Sequence, residues 1–173
     1  MLILDAPRLS LLALDAELAN LQASSRTAFF NALAVTHNRI WPPGPFDRPA
    51  LEWSRQNLAH DPDGVGWYGW TLLANEGELT PPHLIGSAAL IGRPDEDGDV
   101  ELAFGLLPEY RGRGYGAEAV RALAAWALRN GAARVIVHLD AEDYFATRTL
   151  QKTGFFDTQE PPYPGVARWA LAA

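Results

Sequence analysis

The chain has 173 residues and no cysteine. Disulfides, thiolate-metal sites and a thiol nucleophile are therefore excluded, so no covalent intermediate can rest on a cysteine. No stretch approaches the ~18 consecutive apolar residues that a membrane-spanning helix needs. The amino terminus, Met1-Leu2-Ile3-Leu4-Asp5-Ala6-Pro7-Arg8, carries an acid and a proline where a secretion signal needs an unbroken apolar run, so the expected location is the cytoplasm. The histidines at 37, 60, 83 and 138 show neither HExxH nor His-x-x-x-His spacing, and no metal is expected. There is no Gly-x-Ser-x-Gly elbow of a serine hydrolase. A net charge of −7 argues against a nucleic-acid partner, which usually meets a basic stripe. That charge either simply keeps the protein dissolved or draws in a cationic amine, and composition leaves both open.

What remains is an ordinary globular composition, 48% hydrophobic and 20% charged, of a length that fits one domain over residues 1–173. Residues 8–14 read as a first strand, and Asp15 as the cap of a helix running to about Ala23, with a second helix over 26–34. The segment 38–46, with Pro42, Pro43 and Pro45, cannot be helical and reads as an ordered loop carrying Trp41 and Phe46. Asp47 opens another helical pattern through Leu51, Trp53 and Leu58. Strand-like segments at 65–74, 83–93 and 99–107 are divided by turn-rich breaks at 75–77 with 81–82 and at 94–98, which predicts an antiparallel meander. The acids at 95–97 fit a solvated hairpin tip. Val120, Leu123, Ala124 and Ala127 share one helix face that Asn130-Gly131 can end. Residues 135–139 suit a buried strand; Glu142 and Asp143 favour a helix start, Lys152 and Gly154 its stop, and 155–157 and 166–171 the closing strands.

The densest chemistry lies at 100–116, where a strand runs into glycines 112, 114 and 116 at the mouth of a helix. The first N–H groups of a helix lack partners, and its dipole makes that end partly positive. Glycines let a bound anion approach the main chain, so the expected product is a nest of N–H groups flanked by Arg111 and Arg113. No Gly-Lys-Ser/Thr follows, which rules out a P-loop, and the spacing is not Gly-x-Gly-x-x-Gly. The alternative on the local pattern is a tight turn without a ligand.

Arg111-Gly112-Arg113-Gly114-Tyr115-Gly116 resembles the Arg/Gln-x-x-Gly-x-Gly/Ala acetyl-CoA motif of the GNAT N-acetyltransferase superfamily. Leu150-Gln151-Lys152-Thr153-Gly154-Phe155 resembles the ending of that family's next helix. Together with the Arg8-Leu9 opening, it looks most like the branch containing ribosomal-protein alanine acetyltransferases, which also holds small-amine and antibiotic acetylators. The resemblance implies a single α/β domain with a mixed central sheet of about seven strands flanked by helices. It implies acetyl-CoA as cosubstrate, and as acceptor a primary amine on a protein amino terminus or a small molecule, attacked directly in a ternary complex. It also allows a homodimer.

In that family the pantetheine arm bonds the strand before the glycine turn, which maps onto Phe104, Gly105, Leu106 and Leu107. The turn residues Arg111, Gly112, Arg113, Gly114, Tyr115 and Gly116 would hold the diphosphate. Gly105 in mid-strand suits a bulge or a close ligand approach, or is merely a weak spot in an ordinary strand. Alternation sets Val100, Leu102, Phe104 and Leu106 on one face and Glu101 and Ala103 on the other. Some members place a catalytic glutamate in this strand, so Glu101 is either the general base or a surface or ion-paired carboxylate. Where many members have asparagine and then serine, this chain has Asp143 and Ala146; an ionised Asp143 only accepts hydrogen bonds, so its cofactor contact is one-sided or absent. The family's acid tyrosine is replaced by Leu150, leaving Tyr144 as substitute acid or as packing aromatic. Trp41, Phe46, Trp67 and Trp70 either wall an acceptor pocket or belong to the core. His138 reads as a core residue. The alternative from another class is a non-catalytic CoA or acyl-CoA sensor.

Overall fold

Local signals set most helix boundaries in the computed structural model, which describes residues 1–75 and 81–172. Asp15 accepts from Leu18 N–H at 2.9 Å and opens α1, Ala16–Ser24. Ser25 ends that helix and caps α2, Arg26–Ala32, accepting from Ala28 N–H at 3.3 Å. Asp47 caps α3, Arg48–His60, with proline in its first turn, where a missing N–H costs nothing. The helix α4, Tyr115–Arg129, follows Gly114 with no side-chain cap, and Gly131 at φ +107° lets the chain turn away beyond it. Asp143 caps α5, Tyr144–Lys152.

The strands are β1 (Ile3–Asp5), β2 (Leu9–Ala13), β3 (Trp70–Ala74), β4 (His83–Leu90), β5 (Asp99–Leu106), β6 (Arg134–Asp140), β7 (Phe156–Asp157) and β8 (Val166–Ala172). They form one mixed sheet in the order β1-β2-β3-β4-β5-β6-β8-β7. Its eight strands exceed the expected seven by β1, a three-residue edge strand paired with β2 from Ile3↔Leu12 to Asp5↔Ser10. All described pairings are antiparallel except β5 with β6, where α4 makes the crossover.

Two strands are shorter than their patterns suggest. The segment 65–74 is strand only from Trp70, because a 3₁₀ turn at Pro62–Gly64 and Gly66 at φ +99° bend the chain before it. A Cβ on Gly66 would lie 2.6 Å from the Trp126 ring, so glycine is needed for packing as well. The strand from His83 stops at Leu90, ahead of Gly92 at φ +90°. The turn at 75–77 falls partly on Glu76 and Gly77, which lie outside the described residues.

The expected face of α4, Val120, Leu123, Ala124 and Ala127, is completely buried, and packs on the β5 side carrying Val100, Leu102 and Leu106. The opposite face of the sheet takes α1, α3 and the 38–46 loop. Among the described residues, no helix is long and apolar enough to cross a membrane.

Candidate active site

The β5–β6 ladder is short. Its pairs are Asp99↔Arg134, Val100↔Val135 and Glu101↔Ile136. From Leu102 onward β5 pairs only with β4, whereas Val137 to Asp140 pair only with β8. Ile91 N–H donates to Glu101 O at 2.8 Å and Leu107 N–H to Ile85 O at 2.9 Å, so the odd-numbered main-chain groups of β5 face β4. Those of Leu102, Phe104 and Leu106 consequently face the divide. The Leu106 carbonyl accepts from Arg111 Nε at 3.0 Å. The rest is a polar strand edge inside the molecule, lined by half-buried Phe104 and buried Leu106.

At the far end of that edge stands the glycine turn. Gly112 and Gly114 have φ of +74° and +87°, a region that penalises any side chain. Gly116 is ordinary helix, and a Cβ there would find its nearest neighbours at 3.6–3.8 Å. Glu118 N–H makes a bond to Gly114 O at 3.1 Å, so the N–H groups of Gly116 and Ala117 before it have no intrahelical acceptor. The Arg113 side chain is exposed, with its guanidinium 5.9 Å from the Tyr110 ring.

Beneath the turn lies a brace that the sequence did not reveal. Arg8, at the β1–β2 corner, donates from Nη1 to the Arg113 carbonyl at 3.0 Å and from Nε to Glu118 Oε2 at 2.9 Å. Its backbone N–H donates to Glu118 Oε1 at 2.6 Å, and its guanidinium lies 4.6 Å from the centre of the buried Tyr115 ring. Glu118 is 9% exposed. The available clue was an acid in the first turn of a helix expected to bind an anion.

Gly105 has a specific neighbour. β5 runs through it in register, Ser87↔Gly105, with no bulge; the irregularity in this part of the sheet lies between Leu72 and Leu73. A Cβ on Gly105 would stand 2.4 Å from Gly44 O and 3.1 Å from Pro45 Cδ. The close approach is therefore that of the 38–46 loop, not a vacancy on the divided edge.

Glu101 shares its sheet face with that loop. Its carboxylate, 42% exposed, lies 3.2 Å from Nδ1 of His138, itself 29% exposed. Nearby, Asp99 is held by two bonds of 2.7 Å from Arg134 and one of 3.2 Å from Arg168. This carboxylate, with its side chain 10% exposed, helps raise the Arg134 pKa above its ordinary value, chiefly through their hydrogen bonds.

The α5 residues stand apart from this dyad. Asp143 Oδ1 accepts from Ala146 N–H at 2.9 Å and serves as the helix cap. Tyr144 is 61% exposed, and its hydroxyl accepts from Arg148 Nη1 at 2.7 Å. Leu150 is fully buried. Thr149 connects α5 to the glycine turn, its methyl 3.6 Å from where a Gly116 Cβ would be. The four aromatics considered for a pocket wall pack in the core. Trp41 stands 6.2 Å from Phe29, Trp67 is 4.8 Å from Trp126, and Trp70 donates to Gly66 O at 2.8 Å; Phe46 buries itself against Leu51 and Ala89. No group of three or more His, Cys, Asp or Glu arranged to hold a metal occurs among the described residues.

Residues 10–156 match the acetyltransferase (GNAT) domain, and the chain belongs to the GNAT acetyltransferases. It is 26% identical over 156 residues to the uncharacterized N-acetyltransferase YjdG of Bacillus subtilis strain 168, covering 90% of each chain. Its fold is similar to that of an acetyltransferase from Agrobacterium tumefaciens (TM-score 0.64, 19% identity, 100% of this chain and 95% of that one). It is equally similar to a ribosomal-protein-S5-alanine acetyltransferase from Vibrio fischeri (TM-score 0.64, 13% identity, 99% and 97%).

Proposed function

We propose that the protein transfers an acetyl group from acetyl-CoA directly to a primary amine within a ternary complex. The observation that carries this reading is the end of the β5–β6 ladder at Glu101↔Ile136, one strand length from the start of α4. An extended pantetheine arm fits the edge formed by Leu102, Phe104 and Leu106, bonding their main chain as an added strand would. The diphosphate fits the glycine turn, where Arg113 adds charge to the positive end of α4. Acetyl-CoA supplies the activated acyl group; the chain's part is to hold it, shield it and handle the amine proton.

Glu101 provides for proton removal at the other end of this edge. Tyr144, exposed at the start of α5, is the candidate replacement for the missing acid tyrosine, and Asp143 can offer only acceptor atoms to the donor. Some structurally similar proteins act on ribosomal proteins, which makes a peptide amino terminus the first acceptor to try and a small amine the second.

The test measures thiol release from acetyl-CoA in the presence of short peptides with amino-terminal alanine or serine, and of spermidine. Acceptor-dependent release is expected. Tight binding of acetyl-CoA without release across the whole panel would replace the enzyme with the CoA-sensing alternative, which the Leu150 and Asp143 replacements favour.

A further inference from the structure

Glu101 and His138 meet where the sheet divides. Glu101 is the last residue of β5 paired with β6, its partner being Ile136. His138 lies two residues further along β6, hence on the same sheet face, one residue past Val137, where β6 leaves β5. Its side chain leans back across the opening to bring Nδ1 to 3.2 Å from Glu101 Oε1. We infer that His138 is the catalytic base of the transfer, with Glu101 as the positioning residue acting through it. This inference rests on the acetyl-transfer reading above.

The surrounding charges favour this division of labour. The groups around His138 are Glu101 and Asp99 from β5, Arg168 from β8, and Arg134 and Asp140 on β6 itself. Arg168 stands opposite His138 in register, but its Nη2 donates to Asp99 Oδ2 at 3.2 Å. Arg134 is bound to the same carboxylate, and Asp140 Oδ1 accepts from Glu142 N–H at 2.9 Å. Both arginines thus donate to Asp99, and Glu101 is the carboxylate that faces the imidazole. A carboxylate facing Nδ1 keeps the proton of the neutral ring there, which leaves the Nε2 lone pair for substrate. Neutral imidazole is better matched than an ordinary carboxylate to removing a proton from an ammonium ion near neutral pH.

The acceptor ammonium gives one proton to Nε2 of His138. Its freed lone pair forms the N–C bond at the thioester carbonyl, and the C–S bond breaks with its electrons going to sulfur. The remaining surplus N–H proton passes to the thiolate, giving the CoA thiol, and the imidazolium returns its proton to solvent.

The experiment compares parent, His138→Asn, His138→Gln and Glu101→Gln, using acetyl-CoA and the fastest acceptor of the panel. Both His138 variants should lose about 100-fold or more in kcat, the lower range for general-base removal, with acetyl-CoA affinity changed less than about twofold. Glu101→Gln should keep more turnover than either His138 variant. Nitrogen-15 NMR of the imidazole, assigned by the signal lost in His138→Asn, should show the Nδ1–H tautomer in the parent and a mixture in Glu101→Gln. Turnover within about threefold of parent in folded His138→Asn or His138→Gln would overturn the inference alone, leaving Glu101 to act directly. An unchanged tautomer in Glu101→Gln would do the same. A parent that releases no thiol with any acceptor would instead overturn the acetyl-transfer reading, and the inference with it.

Discussion

Replacing Gly105 with alanine puts a methyl group where the Gly44 carbonyl already lies. The new Cβ would be 2.4 Å from Gly44 O and 3.1 Å from Pro45 Cδ. Non-bonded carbon contacts favour about 3.5–4.0 Å, so the loop backbone has to retreat by roughly 1 Å. Overpacking of this kind costs about 1–3 kcal/mol, and the smaller entropy loss of alanine on folding offsets about 0.5–1 kcal/mol of that. The net loss, on the order of 0.5–2 kcal/mol, corresponds to a fall in Tm of about 1–8 °C for a chain of this size. Because the Gly105 main chain faces β4, the divided edge at Phe104 and Leu106 keeps its geometry. Acetyl-CoA affinity should stay within about twofold in titration calorimetry, since a twofold change is only about 0.4 kcal/mol. The KM for the acceptor should rise as the 38–46 loop shifts. A Tm equal to or above that of the parent, or a loss concentrated in acetyl-CoA affinity, would refute the assignment of Gly105 to loop packing.

The glycine turn makes a graded prediction. Gly114→Ala at φ +87° should cost about 1–2 kcal/mol of stability and weaken acetyl-CoA binding, whereas Gly116→Ala, with open contacts of 3.6–3.8 Å, should be as stable as the parent or up to about 1 kcal/mol more. Equal losses in urea denaturation would show that the two glycines serve the same purpose. Arg8→Met leaves the Glu118 carboxylate with Arg8's own N–H but no cation. With Arg8 33% and Glu118 10% exposed, about 1–3 kcal/mol should be lost, and the Arg8→Met/Glu118→Gln pair should recover part of it. A double variant less stable than the sum of the singles would contradict this. Acid should unfold the protein partly through α3. Hydrogen bonds from Arg55 lower the Glu52 pKa to about 2, and Arg93 likewise lowers that of Asp61. Both folded pKa values lie below the unfolded ones. The Glu52 contribution is present above about pH 4 and is lost as pH falls toward about 2, and that of Asp61 is likewise lost as acid protonates its lowered carboxyl. Arg93→Met should flatten that loss, and an identical acid limb in the variant would disprove the Asp61 contribution.

The parts of this structure legible in the sequence are those whose cause is local. Asp15, Asp47 and Asp143 announce their helices because a capping carboxylate needs only the N–H three residues ahead. The α4 stripe and the run before it show their faces by periodicity alone, and the glycine turn is a property of consecutive residues. What could not be read is set by partners far away in the chain. Arg8 reaches Glu118 across 110 positions, and no spacing rule connects them. Gly105 looked like a ligand approach or a bulge because the loop that fills its missing side chain lies about 60 residues earlier, a contact visible only after folding. His138 read as a core residue because a buried strand flanks it. Its meeting with Glu101 depends on the parallel register Glu101↔Ile136, and a single-residue slip would put it on the other face.

Glu118 raises an electrostatic question that the Arg8 brace resolves. An acid in the first turn of a helix is favoured by the dipole, yet it occupies the field that a bound diphosphate would use. Left alone, it would repel the anion that the glycine turn is shaped to receive. Arg8 cancels that charge from below and also draws the Arg113 carbonyl inward, at 3.0 Å, which turns this oxygen away from an incoming phosphate. The exposed guanidinium of Arg113 is then available to the diphosphate of the proposed complex. The brace joins the first hairpin to the glycine turn, so under the proposed function the amino-terminal strands support the diphosphate site although none of their residues belongs to the glycine motif. Titration of acetyl-CoA into Glu118→Gln separates this from simple packing. If the charge pair is neutral toward the ligand, affinity should hold within about threefold, a difference of about 0.7 kcal/mol. A gain of tenfold or more, about 1.4 kcal/mol, would mean that Arg8 leaves the Glu118 charge uncancelled.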